Sequence, residues 1–242
     1  VRLARAGATA SADIFESATG FLAAFSPQGR ANRQAWAPAP ELRIRSNGLS
    51  VKKYPVCYAG HRVIDGVIAL KQAHGFKPQD VLRMVPTLSD VTARVLHAHQ
   101  PATALQAKFS IEFACAMAAC EGAVGLAQVT DAQVARDDIQ SLMRHVHAET
   151  VPPGCPVEPG FALHDRVRVE LRDGSVLDSG PIRFARGHAK LPLSDEDIRT
   201  KFMGCADDAT REGAQRLLAQ LADLGTGRGS SLCAWLHANS LD

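Results

Sequence analysis

Aromatic side chains make up only 5% of this 242-residue chain, with two Trp and two Tyr among them. That is too few for the stacking platforms that hold single-stranded nucleic acid. Charge of one sign is also missing: 27 Lys and Arg stand against 25 Asp and Glu, a net +2, which is no footprint for a polyanion. No apolar run approaches the ~18 residues needed to cross a bilayer. The longest, Phe113 to Cys120, is bracketed by Glu112 and Glu121. Six cysteines are too sparse for a disulfide scaffold. Four of them, Cys115, Cys120, Cys205 and Cys233, fall in apolar helical patterns where a reduced thiol packs as a small hydrophobe, so a cytoplasmic location is expected. The first acid is Asp13, and Arg2 and Arg5 precede it, a superficial likeness to a transit peptide. With no apolar signal core, the stretch reads better as the end of an Ala-rich helix.

What the chain does have is 46% hydrophobic residues, enough to build a real core. Composition divides it into three zones. Residues 1–40 are Ala-rich and loosely helical, broken by a loop at 26–30 and by prolines at 38 and 40. Residues 41–190 mix strand and helix signals. Leu42 to Arg45 and Leu49 to Lys52 alternate like two short strands around a Ser46-Asn47-Gly48 turn, and predict a hairpin. Val63, Ile64, Val67, Ile68 and Leu70 recur at helical spacing, and Val81 to Val85 reads as a buried strand. One helix is expected from Pro101 to Gly122 and another from Asp131 to Ala148. Arg166 to Leu171 alternates cleanly into Asp173-Gly174, a second hairpin. Residues 191–242 return to helix, opened by the N-cap signal Ser194 followed by acids. The fold class is therefore α+β, with an α+β lid inserted in a mainly helical domain.

The strongest chemical signal is a local charge excess. Between Leu42 and Ile64 there is no Asp or Glu, yet Arg43, Arg45, Lys52, Lys53 and Arg62 are present, with His61 among them. Such a field attracts small polycarboxylates. On composition alone, the same alternation also suits the solvated face of an edge strand. Cys57, His61 and Asp65 would stack as nucleophile, base and orienter on one helix, but Pro55 argues against helix before Tyr58. No metal site is expected: His97 and His99 would have to be extended to chelate. His145 and His147, two apart in a helical pattern, point apart, and no cysteine pair has zinc-like spacing. The Gly-rich stretch at 225–231 follows a helix and lacks the Lys-Ser/Thr ending of a phosphate loop.

Several stretches, in order along nearly the whole chain, are similar to the MmgE/PrpD family. They run from Gly7 to Phe21, from Val51 through Lys52, Lys53, Tyr54 and Pro55 to Cys57 with His61 and Asp65, and from Ala104 to Phe113 with Gly122. They continue with Val167 to Val169, Asp173-Gly174, Gly187-His188, Pro192 to Ser194 and Lys201-Phe202. The resemblance implies a homodimeric lyase or isomerase that needs neither metal nor organic cofactor and works beside the carboxylates of small di- and tricarboxylic acids. A 2-methylcitrate dehydratase-like reaction is the leading expectation. The resemblance assigns an active-site role to Lys52, the first of the two lysines before the Tyr-Pro pair, and to His61, both taken as catalytic; the charged run around them adds Lys53, Arg43 and Arg45, with Tyr54, as expected substrate-binding residues. Two departures stand out: Cys57 replaces a histidine of some relatives, and Phe113 replaces a frequent tyrosine. The chain resembles only the C-terminal half of a family member, so it is expected to be inactive alone. The alternatives are a truncated, non-catalytic paralogue that dimerises or binds, and a thiol hydrolase built on Cys57 and His61.

Overall fold

A computed structural model of the chain describes residues 2–26 and 41–222. The expected loop at 27–30, the prolines at 38 and 40, the Gly-rich stretch at 225–231 and Cys233 lie outside the described residues. The chain divides into two compact units, Val1–Asn47 and Gly48–Asp242. Among the described residues, the first holds three short helices, α1 (Arg2–Arg5), α2 (Phe21–Phe25) and α3 (Arg43–Asn47). The rings of Phe15, Phe21 and Phe25 meet in series, the first pair edge-on and the second tilted, with centroids 5.8 and 4.5 Å apart.

Helix α3 corrects the hairpin expected at 42–52. The Asn47-Gly48 signal, read as a tight turn between strands, instead ends a helix. Gly48 takes φ +74, the left-handed conformation that stops helices. Four alternating residues are too few to tell a strand from one helical turn.

The second unit is built on a mixed sheet of β1 (Val81–Ser89), β2 (Glu149–Val151), β3 (Arg166–Leu171) and β4 (Val176–Asp178), ordered β2-β1-β3-β4. Strand β2 runs parallel to β1, and the other pairs are antiparallel. The β3–β4 hairpin forms where its turn signal stood. Gly174 adopts φ +88, and Asp173 accepts hydrogen bonds from the Ser175 amide and hydroxyl at 2.9 and 2.6 Å. Helix α4 (His61–His74) lies across the sheet, with Val63, Ile64, Val67 and Leu70 facing inward as their spacing requires. Gly66 sits at the closest approach: a Cβ there would meet Ile182 and Val167 side chains at 2.7 and 2.8 Å.

Two long helices expected from sequence are each broken. A short helix α5 (Asp90–Val95) follows β1 directly, and the first expected helix becomes α6 (Ala104–Ala107) and the buried α7 (Ile111–Glu121). Its break at 108–110 has two causes. Ser110 caps α7 by accepting the Phe113 amide at 3.1 Å, and the carbonyls of Lys108 and Phe109 leave the helix to accept from Cys57 and Ala98. The second becomes α8 (Asp131–Val134) and α9 (Asp137–Met143), separated by an extended Arg136. Beyond α9, His145 and His147 pair with the backbone of Met84 on the sheet edge rather than continuing a helix. Two helices, α10 (Asp195–Met203) and α11 (Arg211–Ala222), close the described chain, with Ser194 capping α10 as its sequence signal required. The α+β class is thus realised, with the core of the second unit between α4, α7, α9 and the sheet.

One buried polar knot crosses this core. Arg62, fully buried, donates to Glu158 and to the Ala162 carbonyl at 3.0 Å, and stands 3.5 Å from Asp165. Tyr58 donates to the other Glu158 oxygen at 2.7 Å, and His188 lies 3.9 Å from it. Asp165 is fully buried with neither carboxyl oxygen hydrogen-bonded among the described residues, and burial pushes it up to about 7, helped by Glu158 and opposed by Arg62. A raised carboxyl favours the fold when protonated. Its contribution is therefore full below the unfolded value near ~4 and is lost as pH climbs toward 7. Asp165→Asn is expected to flatten that fall, by up to ~1.4 kcal/mol per pH unit. Urea unfolding of both proteins across this range checks it, and parallel stability curves would contradict it.

A cationic site on a pinned segment

The run from Val51 to Cys57 is not a regular strand, and all of its residues except Lys52 and the half-buried Pro55 are held by a remote partner or by burial. The Val51 amide donates to the Gly187 carbonyl at 2.7 Å. Gly187 has φ +93, and a Cβ there would sit 2.1 Å from the Val51 carbonyl oxygen, so no other residue fits. Lys53 pairs with Asp197 at 3.2 Å. Tyr54, buried, donates to Asp65 at 2.6 Å, and the second Asp65 oxygen accepts the Arg186 amide at 2.7 Å. Val56 is buried and its carbonyl faces the His61 ring at 3.2 Å. The Cys57 amide donates to the Lys108 carbonyl at 2.8 Å. Lys52 is exposed, and its ammonium has no hydrogen bond or ion pair among the described residues.

His61 is fully buried at the start of α4, against the rings of Tyr54 and Tyr58 at 5.0 and 5.1 Å. Burial lowers it to about 4, and the nearby Lys52 and Lys201 add to the effect against the pull of the Val56 carbonyl. A neutral ring beside a carbonyl must carry its proton on Nε2 and donate it, which leaves Nδ1 as the lone-pair nitrogen. Nδ1 is buried with no hydrogen-bond partner among the described residues. Burial raises the Tyr54 phenol, and the facing Asp65 adds to this. Asp65 is itself raised by burial, against the hydrogen bonds from Tyr54 and Arg186. Asp197 goes the other way, to about 2, held down first by the Ser194 hydroxyl and then by the Ser194 amide and Lys53.

The structure thus brings Lys52, Lys53, Tyr54 and His61 together, and shows two of them engaged elsewhere. Lys53 is tied to Asp197 and Tyr54 to Asp65. Arg43 and Arg45 belong to the first unit, where Arg43 opens α3 and Arg45 is exposed, 4.0 Å from Glu41. Cys57 precedes a single 3-10 turn and lies outside α4, and both Asp65 oxygens are taken, so the Cys57–His61–Asp65 stack is not assembled. Phe113 is fully buried in α7. Among the described residues no group of His, Cys, Asp or Glu is placed to hold a metal ion, and no helix is long and apolar enough to cross a membrane.

Three residues beside the segment escaped the sequence reading. Arg186 reaches Asp197 at 2.5 Å, and Lys201 lies one turn further along α10. With Lys53 and Tyr54 they border a cleft of about 550 Å³. Asp197 left a legible trace as the acid three residues after Ser194 in a capping box, and Lys201 stood in one of the family-like stretches. Arg186 left none, and it meets the segment across more than a hundred residues of chain.

Gly187→Ala is expected to destabilise the protein by roughly 1–3 kcal/mol, since it adds a backbone clash to a strained φ. Gly174→Ala, at similar φ but with open space around it, is the control and should cost less. Thermal unfolding of both variants checks the difference, and equal losses would contradict the close approach.

A family model described as the MmgE/PrpD C-terminal domain matches residues 54–224. The cis-aconitate decarboxylase of Mus musculus is 26% identical over 188 residues, covering 73% of this chain and 37% of that protein. The cis-aconitate decarboxylase of Homo sapiens is 24% identical over 186 residues, with the same coverage. The chain therefore spans well under half the length of the curated relatives it matches. With the match covering most of the chain and starting at the Tyr54 that follows the two lysines, the chain belongs to the MmgE/PrpD family, through that family's C-terminal domain.

Proposed function

We propose that this chain carries the carboxylate-binding part of a lyase or isomerase that acts beside a carboxylate of a small di- or tricarboxylic acid. The observation that carries the reading is Lys52: an exposed, unpaired ammonium among the described residues, on a segment fixed on both sides. In decarboxylation a C–C bond breaks, carbon dioxide leaves, and its electron pair stays on the neighbouring carbon until a proton arrives. In dehydration a proton leaves that carbon and hydroxide leaves the next. Either way negative charge builds next to a carboxylate, and a fixed ammonium stabilises it more than a mobile one does. The names of the two curated relatives support decarboxylation, and the sequence resemblance supports a 2-methylcitrate dehydratase-like reaction.

In this reading Lys52 touches substrate, while Lys53, Tyr54 and His61 hold it in place. His61 has that role because its donated proton is spent on Val56 and its ring is sealed in the core. The remaining groups of the site lie outside this chain, so the chain alone turns over substrate slowly or not at all. Homodimer formation and independence of metal and organic cofactors belong to the same reading and rest on the family resemblance. The five described cysteines are free, which suits a reducing cytoplasm.

Lys52→Ala is expected to weaken binding of tricarballylate, a tricarboxylate with no group to eliminate, by at least about tenfold. Its unfolding midpoint should stay within about a degree of the parent, because an exposed side chain contributes little to the fold. Calorimetric titration and thermal unfolding measure the two quantities. Undiminished binding by the variant would remove Lys52 from the site. A cis-aconitate turnover assay on the same protein is expected to show little or no reaction, and a rapid one would contradict the division of the site.

A further inference from the structure

Three separate stretches of the chain meet at one carboxylate, that of Asp197 in the first turn of α10. Its Oδ1 accepts from the Lys53 ammonium at 3.2 Å, and its Oδ2 accepts from the Arg186 guanidinium at 2.5 Å. The same Oδ2 accepts from the Ser194 hydroxyl and amide at 2.8 and 3.2 Å, while the Asp197 amide donates to the Ser194 hydroxyl at 3.1 Å. The capping box therefore sets where this carboxylate points, and Lys53 and Arg186 come to it. The Lys53 and Asp197 side chains are 21% and 18% exposed, so solvent screens them less than it screens a surface pair.

These contacts close a ring around Lys52. Arg186 is followed by Gly187, whose carbonyl accepts the Val51 amide at 2.7 Å. Val51 is followed by Lys52 and then by Lys53, which returns to Asp197. Every step is a covalent neighbour or a hydrogen bond, and Asp197 is the member where the two arms join. Without its charge both arms open. Lys53 comes free on one side of Lys52, and on the other the turn that presents Gly187 to Val51 loses its Arg186 anchor. Asp65 keeps Tyr54 and the Arg186 amide, so α4 retains its own contacts.

We propose that Asp197 is a positioning residue for Lys52: both its oxygens are taken by the protein, and it fixes the substrate-binding ammonium by closing this ring. The inference rests on the anion-binding role proposed above for Lys52 and extends that site to a residue of another element, α10. Its consequence runs against simple electrostatics. A carboxylate bonded to the neighbour of a binding lysine repels an anionic ligand, so neutralising it would by charge alone tighten binding. In the ring the same change loosens Lys52, and a side chain that must be ordered at each encounter costs affinity. Asp197 is held ionised down to about 2, so the ring stays closed at neutral pH.

Calorimetric titration of the full chain with tricarballylate tests this in the parent, Asp197→Asn, Ser194→Ala and Lys52→Ala. Asp197→Asn is expected to bind about three- to tenfold weaker than the parent, although it removes a negative charge. Ser194→Ala takes away the helix cap and leaves Asp197 its bonds to Lys53 and Arg186. It should unfold a few degrees lower, with an affinity within about twofold of the parent. Circular dichroism verifies that each variant folds. Tighter binding by Asp197→Asn would overturn the proposal, because Asp197 would then act only as a counter-charge, and unchanged binding would overturn it too. Equal losses in Asp197→Asn and Ser194→Ala would overturn it in favour of a capping role. Weaker binding by Lys52→Ala but not by Asp197→Asn would sink the ring alone and leave the carboxylate reading standing. Undiminished binding by Lys52→Ala, or no binding by the parent, would remove that reading and this inference together.

Discussion

The first turns of α4 bury His61 and Arg62 and half-bury Asp65, and a buried polar group without a partner costs a sizeable fraction of a protein's net stability. His61, Arg62 and Asp65 therefore each have to recruit a different segment. His61 takes the Val56 carbonyl, Arg62 takes Glu158 and the Ala162 carbonyl, and Asp65 takes Tyr54 and the Arg186 amide. Three loops with no regular structure of their own are thereby fixed to one helix. The helix itself is held by Gly66, which lets it approach β3 closely enough to bury its apolar face. Everything argued for Lys52 follows from this, because a loop lysine is otherwise a mobile charge in water.

Electrostatic consequences run in a consistent direction. His61 stays neutral through the physiological range, and Asp197 stays ionised well below it. These two groups beside Lys52 thus keep their charge state where the protein works. Lys53 and Arg186 spend their charge on Asp197, and this ties α10 to the segment. Beside them, the ammonium groups of Lys52 and Lys201 have no ion-pair partner among the described residues. Unpaired positive charge on a fixed segment suits the binding of an anion.

Sequence patterns carried the local features of this architecture. The spacing of Val63, Ile64, Val67 and Leu70 gave α4, the Asp173-Gly174 turn gave the β3–β4 hairpin, and Ser194 gave the start of α10. Patterns failed where a tertiary partner competed with local periodicity. The helix expected through Lys108 breaks because the Lys108 carbonyl serves Cys57, fifty-one residues earlier, and the one through Arg136 breaks on the way to the sheet edge. The acid-free run from Leu42 to Ile64 pointed to this segment as a region, yet it could not separate a free lysine from a paired one. Lys53 and Lys52 are neighbours in sequence, and only the fold shows that Asp197, 144 residues away, claims the first and leaves the second.

Amide hydrogen exchange at Val51, Cys57 and Arg186 tests the central claim most directly, in the wild-type chain and in Asp65→Ala. A pinned segment requires all three amides to exchange slowly, as core hydrogen bonds do, and requires at least Arg186 and Val51 to lose protection together in the variant. Wild-type amides that exchange as fast as those of an unstructured peptide would contradict it, because Lys52 would then ride on a free loop.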